Sequence, residues 1–355
     1  MIRKNNSLSA PSFEICISVI IPAYNCRGYI SRAIDSILIQ DAPCVEVLVV
    51  DDASPDDVVD VVKERYGADA RVKVIRHSEN KKQGGARNTG LKHASGDYVF
   101  FLDADDWLEP GGLKALLEIA EQNDADIVAC GVRKVFANGT TEPFHAFALA
   151  CSGGREALGY LAESYIGTIS WNKLYRKKFL VDNEIMFLER YYHEDVIFSM
   201  RAVMLCNKYI SIENVYMNYF QNEESTTHST STPLHLASFL RMWPDIDNFA
   251  DIYRLKYDEE GVALVKKLLF MHAARDIAPR LMHYMQVTSK DNHHKDIEYA
   301  CADIFPEHKE MAADILKSIF YYLQFVTAPA PGEIPDKEIS GGFFRRLRAK
   351  LYKGE

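Results

Sequence analysis

Two apolar runs of this chain end abruptly in carboxylates. Val45–Val50 (VEVLVV) runs into Asp51-Asp52, and Tyr98–Leu102 (YVFFL) runs into Asp103-Ala104-Asp105-Asp106. A third run, Ile17–Ile21 (ISVII), leads into Pro22-Ala23-Tyr24-Asn25. Short β-branched runs without alternation read as strands buried on both faces. Between them lie segments with helical spacing: Tyr29–Ile39, a Val58/Val61/Val62 stretch, Gly84–His93 and Leu113–Ala120. Val72–Ile75 and Asp126–Cys130 supply two more strands. Strands alternating with helices predict an α/β fold, a mostly parallel sheet flanked by helices. In such sheets ligands bind beyond the carboxyl ends of the strands, which is where these acidic loops lie.

Bulk properties exclude several alternatives. A net charge of −9 gives no global electrostatic case for nucleic acid, and no nucleic-acid partner is expected. Seven scattered cysteines without a CxxC pair argue against a zinc ribbon or disulfide framework, and suit reduced thiols in a cytoplasmic setting. The polar N-terminus has no signal-peptide core, and no apolar stretch approaches the roughly 18 residues of a membrane span. The 355 residues allow about two domains. The pattern divides them at 1–225 (α/β, with a binding part near 15–130 and a second part near 150–225), 226–326 (mainly helical), a Pro/Gly-bearing linker at 327–342, and a basic tail at 343–355.

Each acidic loop has a plain reading and a chemical one. Ser54 is expected to cap a helix, with Pro55 at its first position and Asp57 completing a capping box. On that reading Asp51 and Asp52 are partly structural. Carboxylates two apart on one turn, as Asp103 and Asp105 are, converge on a hard cation such as Mn²⁺ or Mg²⁺. A dinucleotide-binding fingerprint after the first strand and a P-loop are both missing.

Four segments in order, ISVIIPAYN, VLVVDDAS, GGARNTG and YVFFLDADD, resemble family 2 glycosyltransferases of the GT-A fold. The resemblance implies a nucleotide-diphosphate sugar donor, most often UDP-linked, and an inverting, metal-dependent transfer. It puts Pro22, Ala23, Tyr24 and Asn25 along the base and ribose, and Asp52 against the base. Arg87 would stand near the nucleotide. Asp103 would face the ribose and assist Asp105, which would bind the metal, while Asp106 would help through water or hold the loop. The segment Trp171-Asn172-Lys173-Leu174-Tyr175-Arg176 resembles one found in many such enzymes and makes Trp171 and Lys173 acceptor-side candidates. Trp171 has a plain reading as core, and Lys173 as a solvated side chain. His193-Glu194-Asp195 resembles the family's ED motif, which implies Asp195 as general base, ahead of Glu194. His228, in a Ser/Thr-rich stretch, is a candidate for the metal or the diphosphate.

The expected acceptor is a glycan or lipid-linked hydroxyl in cell-surface polysaccharide synthesis; a homo-oligomer is left open. Phe343, Phe344, Leu347 and Leu351 fall roughly on one side of a short helix, with Arg345, Arg346, Arg348, Lys350 and Lys353 around it. That pattern predicts peripheral attachment to an anionic membrane surface at the inner face of the cytoplasmic membrane. A sugar nucleotidyltransferase and a non-catalytic nucleotide-binding scaffold are the rival readings.

Overall fold

The structure, a computed structural model, describes residues 16–42, 44–163, 165–221 and Ser238. The helical region expected from 226 onward, the linker, the basic tail and His228 lie outside the described residues. The element order is β1 (Ile17–Ala23), α1 (Ile30–Leu38), β2 (Val45–Asp51), α2 (Val58–Tyr66), β3 (Val72–Arg76), α3 (Lys82–His93) and β4 (Tyr98–Phe101). It continues with β5 (Trp107–Leu108), α4 (Gly112–Asn123), β6 (Ile127–Phe136), β7 (Thr141–His145), β8 (Leu149–Ser152) and α5 (Arg155–Ala162). β9 (Lys173–Arg176), α6 (Lys177–Asp182), α7 (Glu194–Leu205) and β10 (Lys208–Gln221) complete it.

One sheet runs β3-β2-β1-β4-β9-β6-β10-β5, with β7 on β6 and β8 on β10. The first four strands are parallel to one another, as the alternation predicts. Beyond β4 the sheet is mixed: β9 is antiparallel to both β4 and β6, and β10 is parallel to β6. The register aligns Ala23 with Asp51, and Asp51 with Arg76. The loops after β1, β2 and β3 therefore leave the sheet at one edge. Pro22 and Ala23 belong to β1 rather than to its loop; the β1–β4 ladder has already ended at Ile20 and Phe101, so the missing proline N–H removes no bond from it.

Successive strand residues feed opposite cores. Ile20, Leu48, Val50 and Phe101 join a cluster with α5 and α7. Val19, Ile21, Val47, Val49 and Phe100 face α1, α2 and α4. Burial on both faces is why these runs show no polar alternation. Phe101, the last residue of β4, packs edge-on to Phe187 and Phe198 at centroid distances of 5.1 and 5.6 Å, and those two rings stack at 3.8 Å. This cluster fixes the start of α7 against the strand that carries Asp103.

Two local expectations change. Helix α2 starts at Val58 with Asp57 at the N-cap and no side-chain cap, so Ser54 is not its cap. Ser54 instead joins two loops: its Oγ accepts the Asn25 N–H at 3.2 Å, and its own N–H donates to Asp51 Oδ1 at 3.0 Å. The Gly84-Gly85 pair lies inside α3, which starts earlier, at Lys82. A Cβ on Gly84 would collide with the Leu188 carbonyl, and one on Gly90 with Ile20. These glycines let α3 press against β1 on one side and the approach to α7 on the other.

Candidate active site

The loops at the carboxyl edge are held in uncommon backbone conformations. Asn25, Ala53, Lys82, Arg190 and His193 all have positive φ, between 51° and 69°. Non-glycine residues adopt that region at a cost and persist there when surrounding bonds over-determine them. Those bonds are visible. The Asp52 N–H donates to the Ala23 carbonyl at 2.8 Å, the Arg27 N–H to Asp56 Oδ2 at 2.9 Å, and the Arg190 N–H to the Lys81 carbonyl at 2.9 Å. Tyr24 projects from this edge and is 53% exposed, unlike most aromatics among the described residues.

Asp51 and Asp52 are both buried. Asp51 receives the Ser54 amide and pairs with Arg76 at 3.0 Å. Asp52 Oδ1 takes two bonds, from His77 Nδ1 at 2.7 Å and the Lys81 N–H at 2.8 Å. Its Oδ2 has no hydrogen bond among the described residues. Asp103 repeats that division: Oδ1 accepts Arg87 Nη2 at 2.7 Å and Gln83 Nε2 at 2.8 Å, and Oδ2 is left without a bond among them. Asp106 is fully buried; its Oδ1 accepts the Phe220 N–H at 2.8 Å, and its Oδ2 is buried without a partner. It thus locks the loop to β10.

Positive charge near this second loop is sparse. Arg32, on α1, donates to the Asp105 carbonyl at 2.6 Å and stacks over Trp107 and Phe220 at 4.0 and 4.5 Å. Burial and the Asp103 charge raise Asp105 to about 6. Burial and its two acidic neighbours push Asp106 well above the carboxylate range. The loop therefore carries more carboxylate than its surroundings neutralise. Among the described residues no group of three or more His, Cys, Asp or Glu side chains gathers as a metal cage. An under-neutralised pair of hard oxygen donors fits a cation that takes its other ligands from phosphates and water.

Arg87, expected near the nucleotide, is engaged by two carboxylates. It is 1% exposed and pairs with Asp103 at 2.7 Å and Glu194 at 2.8 Å, so it is a strut between the β4 loop and the first residue of α7. Glu194 is buried with it, and burial pushes its carboxyl up against the pull of Arg87. Asp195, the next residue, is only partly buried. Its charge acts on Arg87, on Glu194 and on Lys173. The strut engages Glu194, and the Asp195 charge acts on it from the next position.

Both acceptor-side candidates turn inward. Trp171 is 6% exposed and packs on Tyr219 at 5.1 Å, as core. Lys173 is 1% exposed, and its ammonium donates to the Gly167 and Ile169 carbonyls and to Asn172 Oδ1 at 3.1, 2.5 and 2.9 Å. It is neither solvated nor turned to a phosphate; it staples the 167–172 segment, and burial lowers it to about 7. The sequence reading missed Arg32, His77, Gln83 and Phe220. His77 had a signal, since it follows β3 at the same edge. Arg32 had none, being one charged residue of an amphipathic helix.

Residues 18–189 match the family described as "Glycosyl transferase family 2". The chain is 32% identical over 222 residues to "Uncharacterized glycosyltransferase EpsJ" of Bacillus subtilis (strain 168), a stretch covering 61% of this chain and 64% of that protein. It is also 32% identical over 218 residues to "Poly(ribitol-phosphate) beta-N-acetylglucosaminyltransferase TarS" of Staphylococcus aureus (strain Mu50 / ATCC 700699), covering 60% of this chain and 37% of the relative. The matched stretch thus spans less than two thirds of either relative's length. In three dimensions the chain is similar to the crystal structure of S. aureus TarS 1-349 in complex with UDP-GlcNAc, with a TM-score of 0.66, 22% identity, and coverage of 91% of this chain and 95% of that one. No helix among the described residues is long and apolar enough to cross a membrane. Residues 18–189, which place the four ordered segments around one sheet edge, are thus a glycosyltransferase family 2 domain with the GT-A fold.

Proposed function

We propose that this chain is an inverting glycosyltransferase that moves a sugar from a UDP donor to a hydroxyl of a glycan or lipid-linked acceptor in cell-surface polysaccharide synthesis. One observation carries the reading. Asp52 and Asp103 each have one oxygen anchored and the other without a bond among the described residues, at the strand edge that also bears the under-neutralised Asp105. Relatives named for transfer to poly(ribitol-phosphate) support a polymer acceptor, and the structural neighbour bound to UDP-GlcNAc supports a UDP-sugar donor.

The residues divide the work. Exposed Tyr24 offers a flat apolar face to a base. Asp52 Oδ2 accepts the uracil N3–H. Asp103 Oδ2 faces the ribose or assists Asp105, and these two would hold Mn²⁺ or Mg²⁺. When bound, such an ion supplies charge stabilisation to the departing diphosphate. Asp195, set by the Arg87–Glu194 pair, takes the acceptor hydroxyl proton as that oxygen attacks the anomeric carbon from the face opposite the diphosphate.

The test is release of UDP from a panel of UDP-sugars, with Mn²⁺ and with EDTA, in wild type and Asp195→Asn. Asp195→Asn is expected to lower turnover on the order of 10²-fold or more with UDP affinity unchanged. Turnover that persists in excess EDTA would remove the metal from the reading. A dead Glu194→Gln beside an active Asp195→Asn would move the base to Glu194.

A further inference from the structure

The loop after β2 contains contacts that the transfer step does not use. Asp52 Oδ1 stands 2.7 Å from His77 Nδ1, and on the far side of the ring Nε2 stands 2.8 Å from Thr89 Oγ1. The imidazole and carboxylate side chains are 7% and 4% exposed. Asp52 follows β2, His77 follows β3 and Thr89 lies in α3, so three elements meet through one ring.

The chemistry of the partners assigns the roles. A carboxylate in this position only accepts, so Nδ1 carries a proton and donates to it. The Lys81 N–H donates to the same oxygen, and Asn80 Nδ2 ties the Asp52 carbonyl at 3.2 Å. The terminal torsion of an aspartate is soft, and an unheld carboxylate swings through a broad well. Two donors converging on one oxygen fix its plane and leave Oδ2 as a stationary acceptor.

We propose that His77 is a positioning residue for base selectivity: it holds Asp52 so that Oδ2 meets the N3–H of uracil and opposes the unprotonated N3 of cytosine. The inference rests on the reading of Asp52 as the base contact. A fixed acceptor facing another acceptor leaves both unpaired, which is how a polar site rejects the wrong ligand. A swinging carboxylate turns away and discriminates less.

Calorimetry of UDP and CDP binding to the full chain in Mn²⁺ tests this, using His77→Asn, His77→Gln and Asp52→Ala after each is shown to melt cooperatively. Asparagine places its amide nitrogen where Nδ1 stands and keeps the bond to Asp52. Glutamine places its own where Nε2 stands and loses that bond. His77→Asn is expected to keep the wild-type preference for UDP. His77→Gln should lose about tenfold of it, the scale of one charge-assisted hydrogen bond, and so approach Asp52→Ala. If His77→Gln keeps the preference while Asp52→Ala loses it, the role of His77 is overturned and the base contact stands. Equal losses in His77→Asn and His77→Gln also overturn it, because the Nδ1 bond would then not be what matters. A preference unchanged in Asp52→Ala overturns the base contact, and the role of His77 with it.

Discussion

The two acidic loops begin alike and end differently. Asp51-Asp52 and Asp103–Asp106 both follow a buried parallel strand at the same edge of the sheet. Around the first, the protein supplies its own partners: the Ser54 amide and the Arg76 charge for Asp51, whose Oδ2 is ion-paired without a hydrogen bond, and His77 and the Lys81 amide for Asp52. Around the second it supplies fewer than the charge requires. Arg87 divides itself between Asp103 and Glu194, Arg32 hydrogen-bonds a carbonyl and acts on the Asp105 and Asp106 carboxyls only through its charge, and Asp106 keeps one oxygen buried without a hydrogen bond. A carboxylate whose partners are built in is a rigid acceptor, suited to a neutral ligand. A loop short of positive charge is destabilised by its own repulsion until a cation arrives. Residue type and topological position are shared, so the neighbours decide which kind of loop each becomes.

Substitutions can break this contrast or sharpen it. The largest effect is expected at Asp105. Asp105→Ala should lower transfer by about 10²–10³-fold or more, the scale seen when a charge-stabilising group is removed. Its metal-free melting temperature should not fall, because the change relieves repulsion with Asp103. A clear loss of metal-free stability would mean that the second loop is neutralised after all.

Next is Arg87→Met, which leaves Glu194 and Asp103 without their shared guanidinium. Breaking a buried pair costs about 3–5 kcal/mol, so denaturant unfolding should show a large drop, partly restored by adding Glu194→Gln. Wild-type stability in Arg87→Met would overturn the strut, and a weakened UDP complex beside it would assign Arg87 to the nucleotide alone.

The smallest of the three falls on the first loop. Asp52→Ala strands the buried His77 Nδ1–H and the Lys81 N–H, at about 1–3 kcal/mol for a lost buried partner. Chemical unfolding of Asp52→Ala and Asp105→Ala, side by side and without metal, compares the loops directly. Equal stability of the two variants would erase the distinction drawn between them.

Much of this was legible in the residues. Apolar runs buried on both faces fixed β1, β2 and β4 and their parallel pairing, because a strand covered on two sides has no room for polar alternation; β3, at the end of the sheet, is only half-buried. The same runs placed Asp52 and Asp103–Asp106 at one edge. His193-Glu194-Asp195 opened a helix as read, with Glu194 and Asp195 in its first turn.

Other features depended on residues far apart in the chain. Arg87 looks like any helical arginine until Asp103 and Glu194, 16 and 107 positions away, close on it. Lys173 looks solvated until its own neighbouring carbonyls turn inward to meet it. Gly84 and Gly90 look like ordinary glycines of a helical stretch until the Leu188 carbonyl and Ile20 close on them from other elements. Which carboxylates are neutralised was equally invisible, since His77, Arg32 and Phe220 come from three different elements. Local sequence sets strands, helices and the edge where loops emerge, because those follow from periodicity and burial within a few residues. The charge balance at that edge is a sum over groups brought together by long-range packing, and only the tertiary structure could decide it.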